Sequence, residues 1–275
     1  MNDVNTAVIP CIDENYEENL EMDFLETLRN VALYKGEIIV IDYGMSNTRK
    51  ERIQVKYNVK VYSFKKTMSV FALRNRDIPF AIDNLSEDIS NVMIVDSGDI
   101  WFQKPITPIF EKTKDKIGCV EETIFFGQHE WTMEGLANLN ENLSKSILDI
   151  TNGKPIMNAG MVCGPKAIIK NLIKSIYNHI LSAGIEFFGI DQLFFNYELY
   201  KINANIVKLH HEFNFVIITH KDEFYLIDGK IYDKDMNQVT VAHNAGGVDR
   251  IINKQYNNTL LDESQYTVKN VRLIR

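Results

Sequence analysis

The feature that most restricts this fold is a rhythm in the first hundred residues, where short β-branched apolar runs alternate with helical or polar stretches. Residues 7–12 form an apolar run, residues 20–34 carry helical periodicity, and residues 37–43 read as a buried strand. A polar helix around Arg49 precedes a third strand over 59–64. A helical stretch over 68–73 then leads to Val92-Met93-Ile94-Val95, a short apolar run bounded by polar turn residues. Strands separated by crossover helices predict a mostly parallel central sheet with helices on its faces, an α/β nucleotide-binding architecture.

The second half is less regular. A strand is expected over 116–120, one helix over 131–149 with Gly135 inside it, and a strand ending in Met161-Val162-Cys163-Gly164-Pro165. Pro165 suits the first turn of a helix over 166–181. Asp228-Gly229, between Tyr225-Leu226-Ile227 and Lys230-Ile231-Tyr232, supplies the positive φ angles of a two-residue hairpin turn. No repeat, low-complexity tract or linker divides the chain. With 275 residues, 45% of them hydrophobic, it is long enough for one large core, so residues 1–275 are expected to form a single domain. Any extra lobe must be an insertion, placed at 121–155.

A formal net charge of -7 opposes nucleic-acid binding, which needs a clustered basic surface to neutralise phosphates. No run approaches the roughly 18 apolar residues of a membrane span, and Met1-Asn2-Asp3 is unlike a signal peptide, so the expected location is cytoplasmic. The run 268–275 mixes cations with aliphatics. It reads as a terminal strand or tail, or as a peripheral contact with the inner face of a membrane if an acceptor is lipid-linked. Cys11, Cys119 and Cys163 are odd in number and form no CxxC pair, so they are expected to be reduced structural thiols.

The strongest chemical signal is Asp96-Ser97-Gly98-Asp99, where two carboxylates appear as a buried strand gives way to a turn. Ligands of open α/β sheets bind outside the carboxyl ends of strands, and oxygen ligands of this kind suit Mg²⁺ or Mn²⁺. A capped turn with one solvated aspartate is the alternative. Asp191 opens an apolar helix and also fits an N-cap. His243 closes a strand over 238–242 before Asn244-Ala245-Gly246-Gly247, a turn able to approach a phosphate. His210 and His211 are expected to point to opposite faces of a strand and to be structural. Asp13 and Asp42, at strand ends, are candidates for a base or ribose; Tyr16 is a candidate for stacking; Arg74 and Arg76 are candidates for a diphosphate. Turn and helix-surface roles explain these residues nearly as well.

Asp96-Ser97-Gly98-Asp99 followed by Ile100-Trp101-Phe102-Gln103 resembles the DxD motif of GT-A glycosyltransferases, with one residue more between the carboxylates. The order and spacing of Thr6-Ala7-Val8-Ile9-Pro10, Met157-Asn158-Ala159-Gly160-Met161, Gly189-Ile190-Asp191-Gln192 and Val241-Ala242-His243 extend the resemblance over most of the chain, nearest to family-8-like and related retaining enzymes. It implies a GT-A, Rossmann-like mixed sheet with a small acceptor-side insertion. It also implies a metal-dependent hexosyltransferase, with Mn²⁺ or Mg²⁺ held by Asp96, Asp99 and His243. Asn158 and Asp191 would work at the sugar. Pro10, Asp13, Tyr16, Asp42, Arg76, Gly160, Gln192, Asn244 and Gly246 would line the donor site, a UDP-sugar being the first expectation. The acceptor would be a saccharide, a lipid-linked or a protein hydroxyl, and retention follows by analogy. A sugar nucleotidyltransferase is opposed by Pro10-Cys11-Ile12-Asp13-Glu14, which is acidic and lacks the glycine-rich basic loop. A nucleotide-sugar-binding protein without turnover stays open.

Overall fold

The apolar runs become neighbouring strands. In the computed structural model, which describes residues 5–202, 205–220, 224–244 and 272–273, β1 (Thr6–Asp13), β2 (Glu37–Tyr43), β3 (Lys60–Ser63) and β4 (Asn91–Asp96) lie parallel in the order β3-β2-β1-β4. After β5 (Ile100–Phe102), which leaves this sheet, come β6 (Ile117–Phe125), β7 (Pro155–Pro165) and β8 (Ile206–Leu209). β7 runs antiparallel between β4 and β6, and β8 closes the seven-stranded sheet parallel to β6. The result is the expected mixed, mostly parallel sheet.

Alternation along the strands sorts side chains to two faces. Ile9, Ile39, Ile41 and Ile94 face one core with Leu73 and Ile78 of α4 (Val70–Asp83), Ile173 and Ile176 of α8 (Lys166–Ala183), and Phe194 of α9 (Ile190–Lys201). Val8, Ile38, Val40 and Met93 face the other, packed against Leu20, Phe24, Leu28, Ile53, Ile109 and Phe110. Ile53 lies on α3 (Asn47–Tyr57), and Ile109 and Phe110 lie on α5 (Thr107–Lys112). Burying a large aliphatic or aromatic side chain contributes roughly 1.5–3 kcal/mol, so these two layers dominate the fold.

Three expected elements differ in form. The helix over 20–34 is α1 (Glu17–Asn19), a π-helical segment (Leu20–Leu25) and α2 (Glu26–Asn30). Within it the Thr27 hydroxyl donates to the Asp23 carbonyl and accepts the Phe102 amide at 2.9 Å, which ties the segment to β5. The helix over 131–149 is two helices, α6 (Glu130–Asn138) and α7 (Glu141–Thr151), because the Asn140 side chain caps α7 by accepting the Leu143 amide at 2.9 Å. His210 and His211 follow the end of β8 instead of lying on it, so their rings sit together with centroids 4.0 Å apart.

A small sheet orders β5, β12 (Val241–His243) and β9 (Phe215–Val216), with β12 in the middle. The expected hairpin is β10 (Phe224–Ile227) and β11 (Lys230–Asp233), with Asp228 at φ 48° and Gly229 at φ 74°; β13 (Arg272–Leu273) adds to β10. The strand expected over 238–242 begins later. Gln238 instead bridges Tyr232 and donates its amide to the Gln103 carbonyl at 3.2 Å. All three cysteines are free thiols. Among the described residues no helix is long and apolar enough to cross a membrane.

One buried acid anchors α9 to α8. Glu198 accepts from Ser175 Oγ at 2.7 Å, His179 Nε2 at 2.7 Å and Lys201 Nζ at 3.1 Å. Burial alone would raise its carboxyl, but these bonds more than offset that and hold it below the ordinary value. A depressed folded value adds stability above the unfolded-chain value and loses it as pH falls. Glu198→Gln is therefore expected to lower stability by about 1–3 kcal/mol at neutral pH. Urea denaturation should show the gap to the unsubstituted protein narrowing as pH drops below the carboxylate range; a gap independent of pH would refute this account.

Candidate active site

The carboxyl ends of β1 and β4 meet, with Cys11 opposite Asp96, and the Asp96–Asp99 turn leaves the sheet there. Ser97 Oγ donates to the Cys11 carbonyl at 2.8 Å, which anchors the turn to β1. Gly98 lies under Tyr16, where a Cβ would come within 3.1 Å of the ring. β5 then pairs antiparallel with β12 so that His243 stands opposite Ile100, and the Asn244 amide donates to the Asp99 carbonyl at 2.8 Å. His243 Nε2 is thereby 3.9 Å from Asp96 Oδ2 and 3.7 Å from Asp99 Oδ1. One ligand atom from each of Asp96, Asp99 and His243 lies within 4.8 Å of the others.

The hydrogen-bond partners orient these groups. Asn158 Oδ1 accepts from the Gly160 amide at 2.9 Å and from Asn214 Nδ2 at 2.9 Å, so Asn214 turns its Oδ1 towards His243 Nδ1, 3.0 Å away. Nδ1 therefore donates to Asn214 and Nε2 faces the two carboxylates, the orientation a metal-binding imidazole requires. Asn158 Nδ2 donates to Glu122 Oε1 at 2.8 Å, which extends the chain of bonds to β6. Gly160 lets the groups converge: a Cβ there would strike His243 Cε1 and lie 2.8 Å from Asp96 Oδ2 and 2.9 Å from Asn158 Oδ1. Two carboxylates and one imidazole nitrogen around a space kept open by glycine fit a small divalent cation.

Arg74, on α4, is the central cation of the site. Its guanidinium pairs with Asp96 through one nitrogen and with Asp191 through another, and also reaches the Ala159 carbonyl at 3.4 Å. Burial pushes the carboxyls of Asp96 and Asp191 up, and the Arg74 charge opposes that rise. Burial also pushes the Cys11 thiol up, so it is a protonated, unreactive part of the floor. Asp191 sits in the first turn of α9, whose N-cap is Gly189 at φ 81°, and its carboxylate serves Arg74. Gln192, the next residue, accepts the Ala159 amide at 3.3 Å.

These groups line one cleft of about 1470 Å³, which also takes in Asp13, Tyr16, Asn158, Gly160, Gln192 and Asn244. Asp13 pairs with Lys66 at 2.8 Å. Three expected donor-site residues lie elsewhere. Pro10 is buried within β1 and does not line the cleft. Asp42 is fully buried, accepting the Gly44 amide at 2.9 Å and Ser63 Oγ at 2.6 Å and pairing with Lys50 at 2.7 Å; it organises the end of β2. Arg76, two residues past Arg74 and so on another face of α4, pairs with Asp77 at 2.8 Å. Gly246 and the rest of the turn over 245–247 fall outside the described residues, as does the side-chain environment of 268–275.

Lys66, Glu122 and Asn214 belong to the site but carry no sequence signal. Lys66 has no motif around it, and Asn214 joins Asn158 to His243 across 56 and 29 residues. The stretch 121–155 does reach the cleft, through Glu122, Thr123, Ile124, Gln128, His129, Glu130 and Thr132.

The seven-stranded mixed sheet flanked by helices is the GT-A fold, shared with solved structures. The similar solved structures include the galactosyltransferase LgtC in complex with donor and acceptor sugar analogs, at a TM-score of 0.58 and 13% identity, covering 94% of this chain and 98% of that one. An active-site mutant of LgtC matches at a TM-score of 0.59 and 12% identity with the same coverage. No protein-family model matches the sequence, and no curated protein does.

Proposed function

We propose that this protein is a metal-dependent glycosyltransferase that moves a sugar from a nucleoside-diphosphate sugar to an acceptor hydroxyl. The observation that carries this reading is the convergence of Asp96, Asp99 and His243 within 4.8 Å in the large cleft of a GT-A fold. An imidazole beside two carboxylates favours Mn²⁺ over Mg²⁺. Bound there, the cation supplies Lewis acidity to a leaving diphosphate and a template for it.

The chain's own groups do the rest. Asp13, Lys66 and the half-exposed Tyr16 stand at the end of β1, where a base and ribose are held by hydrogen bonds and stacking. Arg74 fixes the Asp191 carboxylate beside the metal ligands, so a sugar attached to the diphosphate meets a preorganised anion rather than water. Asn158 and Gln192, already bonded to Glu122 and to the backbone, shape the floor under that sugar. Retention at the anomeric carbon accompanies this reading, and product stereochemistry by NMR decides it.

The first test is a thermal-shift screen of UDP, GDP, CDP and their sugars with and without Mn²⁺, since a ligand bound at 100 times its Kd adds about 2.7 kcal/mol to the folded state. One nucleotide series, the uridine series first, is expected to raise the melting temperature only with the metal present. No shift with any nucleotide would remove the donor site.

A further inference from the structure

Phe71 and Phe188 are large apolar side chains left partly in solvent at the cleft. They are 37% and 58% exposed, and their rings meet edge to face with centroids 5.3 Å apart. Both line the cleft. Phe71 precedes Arg74 by three residues on α4, so the two share a helix face about 5 Å apart along the axis. Phe188 precedes Asp191 by three residues, across the Gly189 turn. The aromatic pair therefore sits just beyond the Arg74–Asp191 ion pair, and the two halves are tied together: the Ser69 amide at the start of α4 donates to Glu186 Oε2 at 3.0 Å, two residues before Phe188.

We propose that Phe71 and Phe188 form the platform on which a saccharide acceptor stacks, which makes them determinants of acceptor specificity. This rests on the transferase reading above, because the acceptor must lie next to the sugar that Asp191 faces. A pyranose ring offers an apolar C–H face and a rim of hydroxyls, and it needs an aromatic surface with hydrogen-bonding groups around it. The cleft supplies both, since Glu122, Thr123, Gln128 and Gln192 line it along with the two rings. A lipid chain has no use for that many polar partners beside a two-ring surface. The edge-to-face contact and the Ser69–Glu186 bond hold the platform in place before the acceptor arrives, which lowers the entropy lost on binding.

The test is saturation-transfer NMR on the full chain with Mn²⁺ and nucleoside diphosphate present, using glucose, galactose, N-acetylglucosamine and lactose as probes. At least one is expected to receive saturation at ring protons of one face. Phe71→Ala and Phe188→Ala are each expected to weaken its binding about three- to tenfold, and Phe188→Trp to keep it. Both side chains are more than a third exposed, so the variants should stay folded, which circular dichroism checks. Equal binding by both alanine variants, no binding of any saccharide, or loss of anionic-vesicle binding instead of saccharide binding would each overturn the platform. Failure of the transferase reading looks different: a saccharide binds through the rings, yet no nucleoside diphosphate is released from any sugar nucleotide.

Discussion

Replacing Arg74 with alanine is expected to destabilise the fold by about 3–5 kcal/mol, the range seen when one member of a buried ion pair is removed. The guanidinium side chain is 11% exposed and joins Asp191, 6% exposed, to Asp96. Without it two inward-facing carboxylates share one wall of the cleft with no counter-charge, and their desolvation is no longer offset. Arg74→Lys should recover only part of the loss, because one ammonium cannot reproduce a planar fork that engages two carboxylates from separate nitrogens. Urea denaturation checks this. An alanine variant with the unsubstituted midpoint would mean that the pair is a solvated contact and that Asp191 needs no partner.

The second large effect concerns turnover. Asp96→Ala and Asp99→Ala are each expected to reduce kcat about a hundredfold or more, the scale on which a preorganised charge stabiliser acts. Asp99 gives the cleaner comparison. Asp96 also holds Arg74, so its removal disturbs the Asp191 carboxylate as well, whereas the ion pair of Asp99 is with His243. Nucleoside diphosphate release is the readout, with circular dichroism to confirm folding. Near-normal turnover in both folded variants would sink the metal site.

The parallel half of the sheet was legible because short unbroken apolar runs separated by helices favour buried parallel strands: residues 37–43 are β2 to the residue, and 7–12 and 92–95 lie inside β1 and β4. The Asp96–Asp99 pair was legible because its carboxylates fall where such strands end. What stayed hidden was set by contacts distant in sequence. Asp42 and Asp13 both end strands, yet Lys50 and Ser63 draw one into the core while Lys66 keeps the other in the cleft. Arg74 and Arg76 differ only in which way a helix turn points them, and the sequence alone does not fix that phase. The place of Asn158 is likewise set from a distance. It lies inside the 11-residue strand β7, because Asn196 accepts the Met157 amide and donates to the Met157 carbonyl, satisfying the backbone from α9. The split of the helix over 131–149 was visible in principle, since Asn140 is a capping residue followed by Glu141.

The position of β12 couples the site to local opening of the chain. His243 rides on a three-residue strand that is the middle member of a three-stranded sheet, separate from the seven-stranded one. Local opening of so short a ladder would need less free energy than global unfolding. On such opening the imidazole would leave while Asp96 stays at the end of β4 on the large sheet, and affinity for a cation that needs the third ligand would fall in proportion to the time spent open. Substitutions in β5, β9 or β12 that touch no ligand would then act as a dial on metal affinity, and amide exchange at Ala242 and His243 would read its setting.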